Sequence, residues 1–192
     1  MNLVPRPFYV CILVCILLAL PLTISSKEAA SPELKDIIVT TSNSHLLFFA
    51  TVSNAFTPEM MEGVHNGLPI TFVFQLQLTK VRNKWFDSDL VDTKLSHTLT
   101  YDSLKEEYTI QRSYKKGKMQ RTRSIVEAQQ FMAELNGLQV VSLKELQPEA
   151  PYAIRLKATL IKNTLPLGMH YVLPFTSLWN FETDWRTIEF RY

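Results

Sequence analysis

The sequence contains little cysteine, little glycine and no marked excess of either charge. Both cysteines, Cys11 and Cys15, lie near the amino terminus, so the rest of the chain has none. This excludes disulfides, cysteine-ligated zinc, iron–sulfur sites and cysteine nucleophiles from that part. The five glycines are dispersed, which leaves neither a Gly-x-Gly-x-x-Gly motif nor a phosphate-binding loop. A net charge of +2 is too small for a general nucleic-acid-binding protein.

The amino terminus has the composition of an export signal. Arg6 is followed by an apolar run from Phe8, which Pro21 interrupts before the small residues of Thr23-Ile-Ser25. This order predicts a signal peptide over residues 1–25, cleaved near Ser25. The alternative is an uncleaved anchor, because the 17 residues from Phe8 to Ile24 would span about 25 Å as a helix. In both cases we expect the remainder to be extracytoplasmic.

The remaining sequence predicts one domain. With 46% hydrophobic and 20% charged residues, the chain is neither disordered nor a multispan membrane protein. We expect a polar tether over residues 26–35 and a single β-rich domain over residues 36–192, because no repeat or linker divides the latter.

Hydrophobic alternation predicts about eight strands. Pro69–Val81 is the clearest, since its odd and even positions separate apolar from polar residues. The full set is Asp36–Thr41, Leu46–Val52, Pro69–Val81, Val91–Tyr101, Glu107–Tyr114, Leu138–Leu143, Tyr152–Lys162 and Trp185–Tyr192. The pattern favours a mainly β fold, either an antiparallel β-sandwich or a curled sheet.

Capping residues predict two short amphipathic helices. The first begins after Thr57 and ends at Gly67. The second begins with the capping box from Ser124 to Glu127 and is expected to end before Gly137. Its apolar stripe comprises Ala128, Phe131, Met132 and Leu135.

Several short motifs occur in a recognisable order along the chain. They are Gly67–Phe72, Trp85-Phe86, Leu99–Leu104 with Tyr108, Ser124–Ala128, Leu165–Leu167, Trp179 and Trp185. Together they resemble an exported bacterial family, domain of unknown function family 4390, over about Asp36 to Phe190. The resemblance implies a signal-bearing envelope domain with no assigned activity, periplasmic or anchored to the inner membrane. Some members of the family are associated with loci that encode membrane sensor kinases, which points to an envelope or membrane protein, such as a sensor, as a partner. The resemblance implies no catalytic residues.

The strongest local charge lies in residues 112–123, which hold six basic residues and no acidic one. The candidate binding residues are Arg112, Lys115, Lys116, Lys118, Arg121 and Arg123. On a protruding loop they would attract anionic lipid headgroups or an acidic partner surface. The alternative is a solvated hairpin tip whose charges keep an edge strand from pairing. Nucleic acid is not expected as a partner outside the cytoplasm.

An uncharged segment, residues 164–181, is the second candidate surface. Two prolines and Gly168 exclude a long regular helix from it. It is either a connection covering the core or a flap that binds a partner. The candidate flap residues are Tyr171, Phe175, Trp179 and Phe181.

Catalytic interpretations rest on few residues. His97 lies on the apolar face of a predicted strand. It can act as a catalytic base only if its side chain lies in a cleft beside a carboxylate. The alternative is a core histidine that is hydrogen-bonded within the protein. Asp87, Asp89 and Asp92 precede or begin that strand, but they lack the glycine and glutamate of a calcium loop, so we expect a solvated turn. The sequence therefore favours a noncatalytic binding module without metal or cofactor, with an envelope hydrolase as the alternative.

Overall fold

The computed structural model describes residues 31–81, 88–115, 117–161 and 181–192, in which strands predominate. In chain order the elements are β1 (Glu33–Thr41), β2 (His45–Ser53), α1 (Pro58–His65), β3 (Ile70–Lys80), β4 (Ser88–Asp102), β5 (Glu107–Arg112), β6 (Met119–Thr122), α2 (Ile125–Ala133), β7 (Glu134–Ser142), a 3-10 turn (Leu143–Glu145), β8 (Pro151–Ile161) and β9 (Arg186–Arg191). Each predicted strand has a counterpart, and β6 is an addition.

These strands form two antiparallel sheets. One has the order β1-β2-β7, and the other has the order β6-β5-β4-β3-β8-β9. The predicted mainly β, antiparallel fold is therefore confirmed. Both sheets and both helices contribute side chains to one hydrophobic core.

Strand β3 shows how the alternating pattern sets the large sheet. Its apolar positions, Ile70, Phe72, Phe74, Leu76 and Leu78, are all buried, as predicted. Phe74 lies opposite Leu95 of β4 and Ala158 of β8, so three strands direct apolar residues to the same face. A shift of one residue would expose this whole set.

Helix α1 begins and ends where its sequence predicts. The Thr57 hydroxyl oxygen accepts a hydrogen bond from the Met60 amide at 3.3 Å. Gly67 follows the helix with a φ of +85°, a conformation that side chains disfavour. Neither helix among the described residues is long and apolar enough to cross a membrane.

The prediction that α2 includes Leu135 and continues toward Gly137 is wrong. The helix stops at Ala133, and β7 starts at the next residue instead of at Leu138. Leu135 pairs with Ala50 of β2, so it fills the core from a strand and not from the helical stripe. Gly137 lies within β7 at a φ of +64°, where the sheet register shifts. Pairing with β2 therefore determines this boundary, which local helix signals did not reveal.

Asp89 and Asp92 do not lie in the solvated turn that the sequence predicted. Asp87 lies outside the described residues, whereas Asp89 and Asp92 belong to β4. Asp89 pairs with Thr79, and the Asp92 carboxylate accepts a hydrogen bond from Gln77 Nε2 at 3.2 Å. The strand begins three residues before its predicted start, because β3 extends far enough to pair with it.

Candidate functional site

The six basic residues predicted to form one loop are divided by the fold. Strand β5 ends at Arg112 and β6 begins at Met119, so only residues 113–118 connect the two strands. We call this connection the basic turn. Lys115 and Lys118 lie in it, and Lys116 lies outside the described residues. Arg121 is on β6 and Arg123 follows that strand, so both lie toward the opposite end of the hairpin.

Arg112 faces the protein interior, which corrects its expected place on an exposed loop. It follows Tyr108 and Ile110 on the inward face of β5 and pairs with His97 of β4. The residue is 5% exposed. Its Nη2 donates a hydrogen bond to the Phe131 carbonyl oxygen at 2.5 Å, while its buried Nε has no hydrogen-bond partner. None of the ion pairs in the described part of the chain includes Arg112.

Backbone and side-chain hydrogen bonds fix the basic turn. The Lys115 amide donates to the Arg112 carbonyl oxygen, and the Lys118 amide donates to that of Lys115, both at 3.1 Å. The Ser113 hydroxyl oxygen accepts from the Ser96 amide at 2.9 Å, which ties the turn to β4. Gly117 has a φ of +73°, so it supplies the left-handed residue that closes the turn.

The buried His97 lies beside this turn. It is 0% exposed. Its Nδ1 is 2.8 Å from the Met132 carbonyl oxygen, and its Nε2 is 3.3 Å from the Tyr114 hydroxyl. Because a carbonyl only accepts, Nδ1 carries the hydrogen, and the unprotonated Nε2 accepts from Tyr114.

Burial lowers the pKa of His97 from 6.5 to about 4. The hydrogen bond to Met132 opposes this shift, whereas the positive charges of Arg112 and Lys115 add to it. The ring is therefore neutral near pH 7. Its two partners are a carbonyl and a phenol, and this arrangement does not support a hydrolase that needs an open histidine beside a carboxylate.

Positive charge accumulates at the basic turn. Burial lowers the pKa of Lys115, and the neighbouring charges of Arg112 and Lys118 lower it further. Burial raises the pKa of Tyr114, although Arg112 opposes that change. The charges of Arg112 and Lys118 thus act on Lys115, and none of these three residues forms an ion pair with an acidic side chain among the described residues. Such a turn can attract an anion.

The candidate aromatic flap is only partly covered by the described residues. Tyr171, Phe175 and Trp179 lie outside them. Phe181 is buried at 4% exposure, and its ring centroid is 5.1 Å from that of Phe72. Phe181 is therefore a core residue, which corrects its expected place among the candidate flap residues.

One aromatic cluster was missed at the sequence level. His65 at the end of α1 forms a hydrogen bond through Nε2 with the Tyr108 hydroxyl, and its ring lies 5.0 Å from that of Tyr101. Tyr101 and Tyr108 are direct partners across the β4–β5 hairpin. The alternating patterns of β4 and β5 predict that Tyr101 and Tyr108 pair. No local sequence pattern predicts that His65 contacts them. Burial raises the pKa of Tyr108, and Tyr101 raises it further.

No group of three or more potential metal-ligating residues occurs in the described ranges. Asp89 and Asp92 do not converge with His97, because both are exposed whereas His97 is buried, and the Asp92 carboxylate is hydrogen-bonded to Gln77.

The fold and the basic turn define a class: a mainly β domain of two antiparallel sheets that concentrates positive charge at one hairpin connection. The family model described as a domain of unknown function, DUF4390, matches residues 29–189, and the chain belongs to this family. The family indicated by the sequence motifs is thereby confirmed. No curated protein and no solved structure matches the chain.

Proposed function

We propose that the chain is an exported, noncatalytic interaction module of the cell envelope that binds an anionic partner through its basic turn. One observation supports this most strongly. Lys115 and Lys118 have no acidic partner in the described part of the chain, and the buried Arg112 adds a third positive charge. Unpaired surface charges attract partners, whereas paired ones largely cancel.

The partner of this module is either an anionic lipid surface or an acidic patch on an envelope protein, such as a membrane-bound sensor. Each basic residue near an anionic membrane contributes about 1 kcal/mol. A few such charges give weak, reversible association, which suits a domain that a tether or an anchor already holds near the membrane.

Export is part of the proposal and has its own test. Sequencing the amino terminus of the protein recovered from a bacterial envelope fraction should give a chain that begins near Ser26, because the apolar run is short and Pro21 precedes small residues. A membrane-bound chain that begins at Met1 or Asn2 would favour the anchor. Recovery of the full-length chain from the cytoplasm alone would contradict export.

The electrostatic part is tested by salt and substitution. Binding of the chain from Ser26 onward to phosphatidylglycerol vesicles should weaken as the screening length falls from about 10 Å at 0.1 M salt to about 3 Å at 1 M. Replacing Lys115, Lys116 and Lys118 with Gln should weaken binding without lowering the melting temperature, since none of the ion pairs in the described residues is lost. In-cell crosslinking of the same variant should show the same loss with a protein partner. Unchanged binding by the triple variant would refute this role of the turn.

A further inference from the structure

We propose that the second half of β1, residues 37–41, pairs antiparallel with the same strand of a second copy of this chain. The pairing joins two three-stranded sheets into one sheet of six strands. It uses a surface other than the basic turn, so it does not depend on the proposed function.

Strand β1 has an open backbone edge. It is the outer strand of its sheet, and among the described strands it pairs only with β2. Its other edge therefore offers N–H and C=O groups that no described strand uses. Such an edge accepts a further strand, because a second chain can satisfy these groups without any change in the first.

Residues 37–41 have a composition that favours pairing. All five are β-branched, and none is charged. Isoleucine, valine and threonine are the residues that strands prefer. Ile38 is 55% exposed, and Thr40 and Thr41 are exposed as well. An uncharged outer strand of this kind is a template for another chain.

The other three outer strands carry features that prevent edge-to-edge pairing. Strand β6 is only four residues long and bears Arg121. Strand β9 contains Arg186, Glu189 and Arg191. Strand β7 shifts register twice against β2 and includes Gly137 at a φ of +64°. Short length, charge and bulges are the usual protections of an edge. Residues 37–41 have none of them.

The first half of β1 is protected in the same manner. The register against β2 shifts between Lys35 and Ile38, and Asp36 within this interval has a φ of +51°. Glu33 forms an ion pair with Arg186 of β9 at 2.7 Å. Charge and irregular backbone therefore confine the open, regular edge to the rest of the strand.

The open edge is complementary to itself. In an antiparallel pair centred on Val39, Ile38 lies opposite Thr40 of the copy, so like charges never face each other. The charged residues before the run would lie near the β1–β2 connection of the copy, residues 42–44, which contains no charge. A two-fold axis relates the two strands, as in most soluble dimers.

An apolar strip beside the edge favours the same pairing. Ile38 pairs with Phe49, and Thr40 pairs with Leu47. Phe49 and Leu47 are partly exposed, whereas their neighbour Phe48 is buried, so Ile38, Leu47 and Phe49 lie on the face turned away from the core. Two-fold pairing places the strips of the two copies side by side on this face, which removes apolar surface from water.

The experiment measures self-association of the chain from Ser26 onward, which contains every described residue. An edge of five residues makes a small interface, so we expect a dissociation constant between about 10 μM and 1 mM in sedimentation equilibrium. Ile38→Lys should raise this constant about tenfold or more, because it places a positive charge of each copy at the shared edge. Thr40→Lys should act in the same direction and serves if Ile38→Lys does not fold.

Ile161→Lys is the matched control. Ile161 is 47% exposed at the end of β8, so the substitution removes an equally accessible isoleucine and adds the same charge away from β1. It should change the dissociation constant less than about twofold. Equal weakening by Ile38→Lys and Ile161→Lys would overturn the inference, because charge and not position would then decide.

Hydrogen exchange identifies the surface that pairs. Amides of residues 37–41 should exchange more slowly as the concentration rises, whereas those of β6 and β9 should not change. A chain that stays monomeric up to about 1 mM would contradict the inference, as would a dimer in which β1 exchange is unchanged. Slower exchange in β1 and β7 together, with growth beyond dimers, would replace two-fold pairing with a head-to-tail contact and would also overturn it.

Discussion

The two ends of the β5–β6 hairpin carry similar numbers of basic residues but differ in how these are paired. At the end next to the β4–β5 connection, Lys105 pairs with Asp102 and Arg121 with Glu107. At the other end, Lys115 and Lys118 form no ion pair with any described acidic residue. A count of basic residues along the sequence treats both ends alike. The strand register, which decides where the acids lie, supplies acidic neighbours to Lys105 and Arg121 but none to Lys115 and Lys118 among the described residues.

The register also explains why the paired end is paired. Arg121 lies opposite Thr109, two residues from Glu107, while Asp102 and Glu107 face each other across the β4–β5 hairpin. Near the basic turn, the corresponding neighbours are serines: Ser96 and Ser113 bind each other through backbone and hydroxyl groups. Among the described residues, acidic side chains therefore form ion pairs with basic ones at one end of the hairpin only.

The largest predicted effect tests the register on which this comparison depends. Phe74→Ala should lower the free energy of unfolding by about 3–5 kcal/mol, because it leaves a cavity in the core. Gln75→Ala, one residue along the same strand, should change it by about 0.5 kcal/mol or less, because its side chain faces the opposite side of the sheet. Urea unfolding of both variants measures the difference. Equal losses of stability would mean that β3 is assigned to the wrong register.

The next effect sharpens the comparison by testing the burial of His97 behind the basic turn. The folded pKa of His97 is lowered from 6.5 to about 4, so the unfolded chain takes up a proton first as pH falls. Stability should therefore be complete above about pH 6.5 and decline toward pH 4, by about 3 kcal/mol from this residue alone. His97→Gln keeps a donor and an acceptor but does not titrate, so its stability should decline less over this interval.

Urea unfolding at pH 7 and pH 4.5 measures both proteins, and the difference between them removes the contribution of the carboxylates they share. Parallel declines for the parent and His97→Gln would contradict a neutral, buried His97. A steeper decline for His97→Gln would contradict the direction of the pKa shift.

The sequence predicts an element of this fold correctly where neighbouring residues alone determine its structure. β3 was predicted residue by residue, because five alternating apolar side chains define its buried face. β6 was missed, because Met119–Thr122 has no apolar alternation and becomes a strand only by pairing with β5. The end of α2 was predicted wrongly, because the β2 partners of Leu135 are distant in sequence.

The candidate site also combines features that the local sequence predicts with features that it does not. The density of basic residues marked the region, but the expected exposure of Arg112 was wrong, although the period of two from Tyr108 through Ile110 extends to it. Charge was given more weight than alternation at that position. The hydrogen bonds of His97 to Met132 and Tyr114 join separate elements, so no local pattern specified them.

The central claim is that the basic turn, and not the paired end of the hairpin, meets the partner. Two exposed apolar residues allow a direct test: Met119 adjoins the turn and is 53% exposed, and Leu104 lies in the β4–β5 connection and is 96% exposed. A photocrosslinking amino acid is placed at each position in turn and activated in intact cells. The account predicts a crosslinked lipid or protein from position 119 and little or none from position 104, despite the greater exposure of the latter. Crosslinking from position 104 alone would contradict the account.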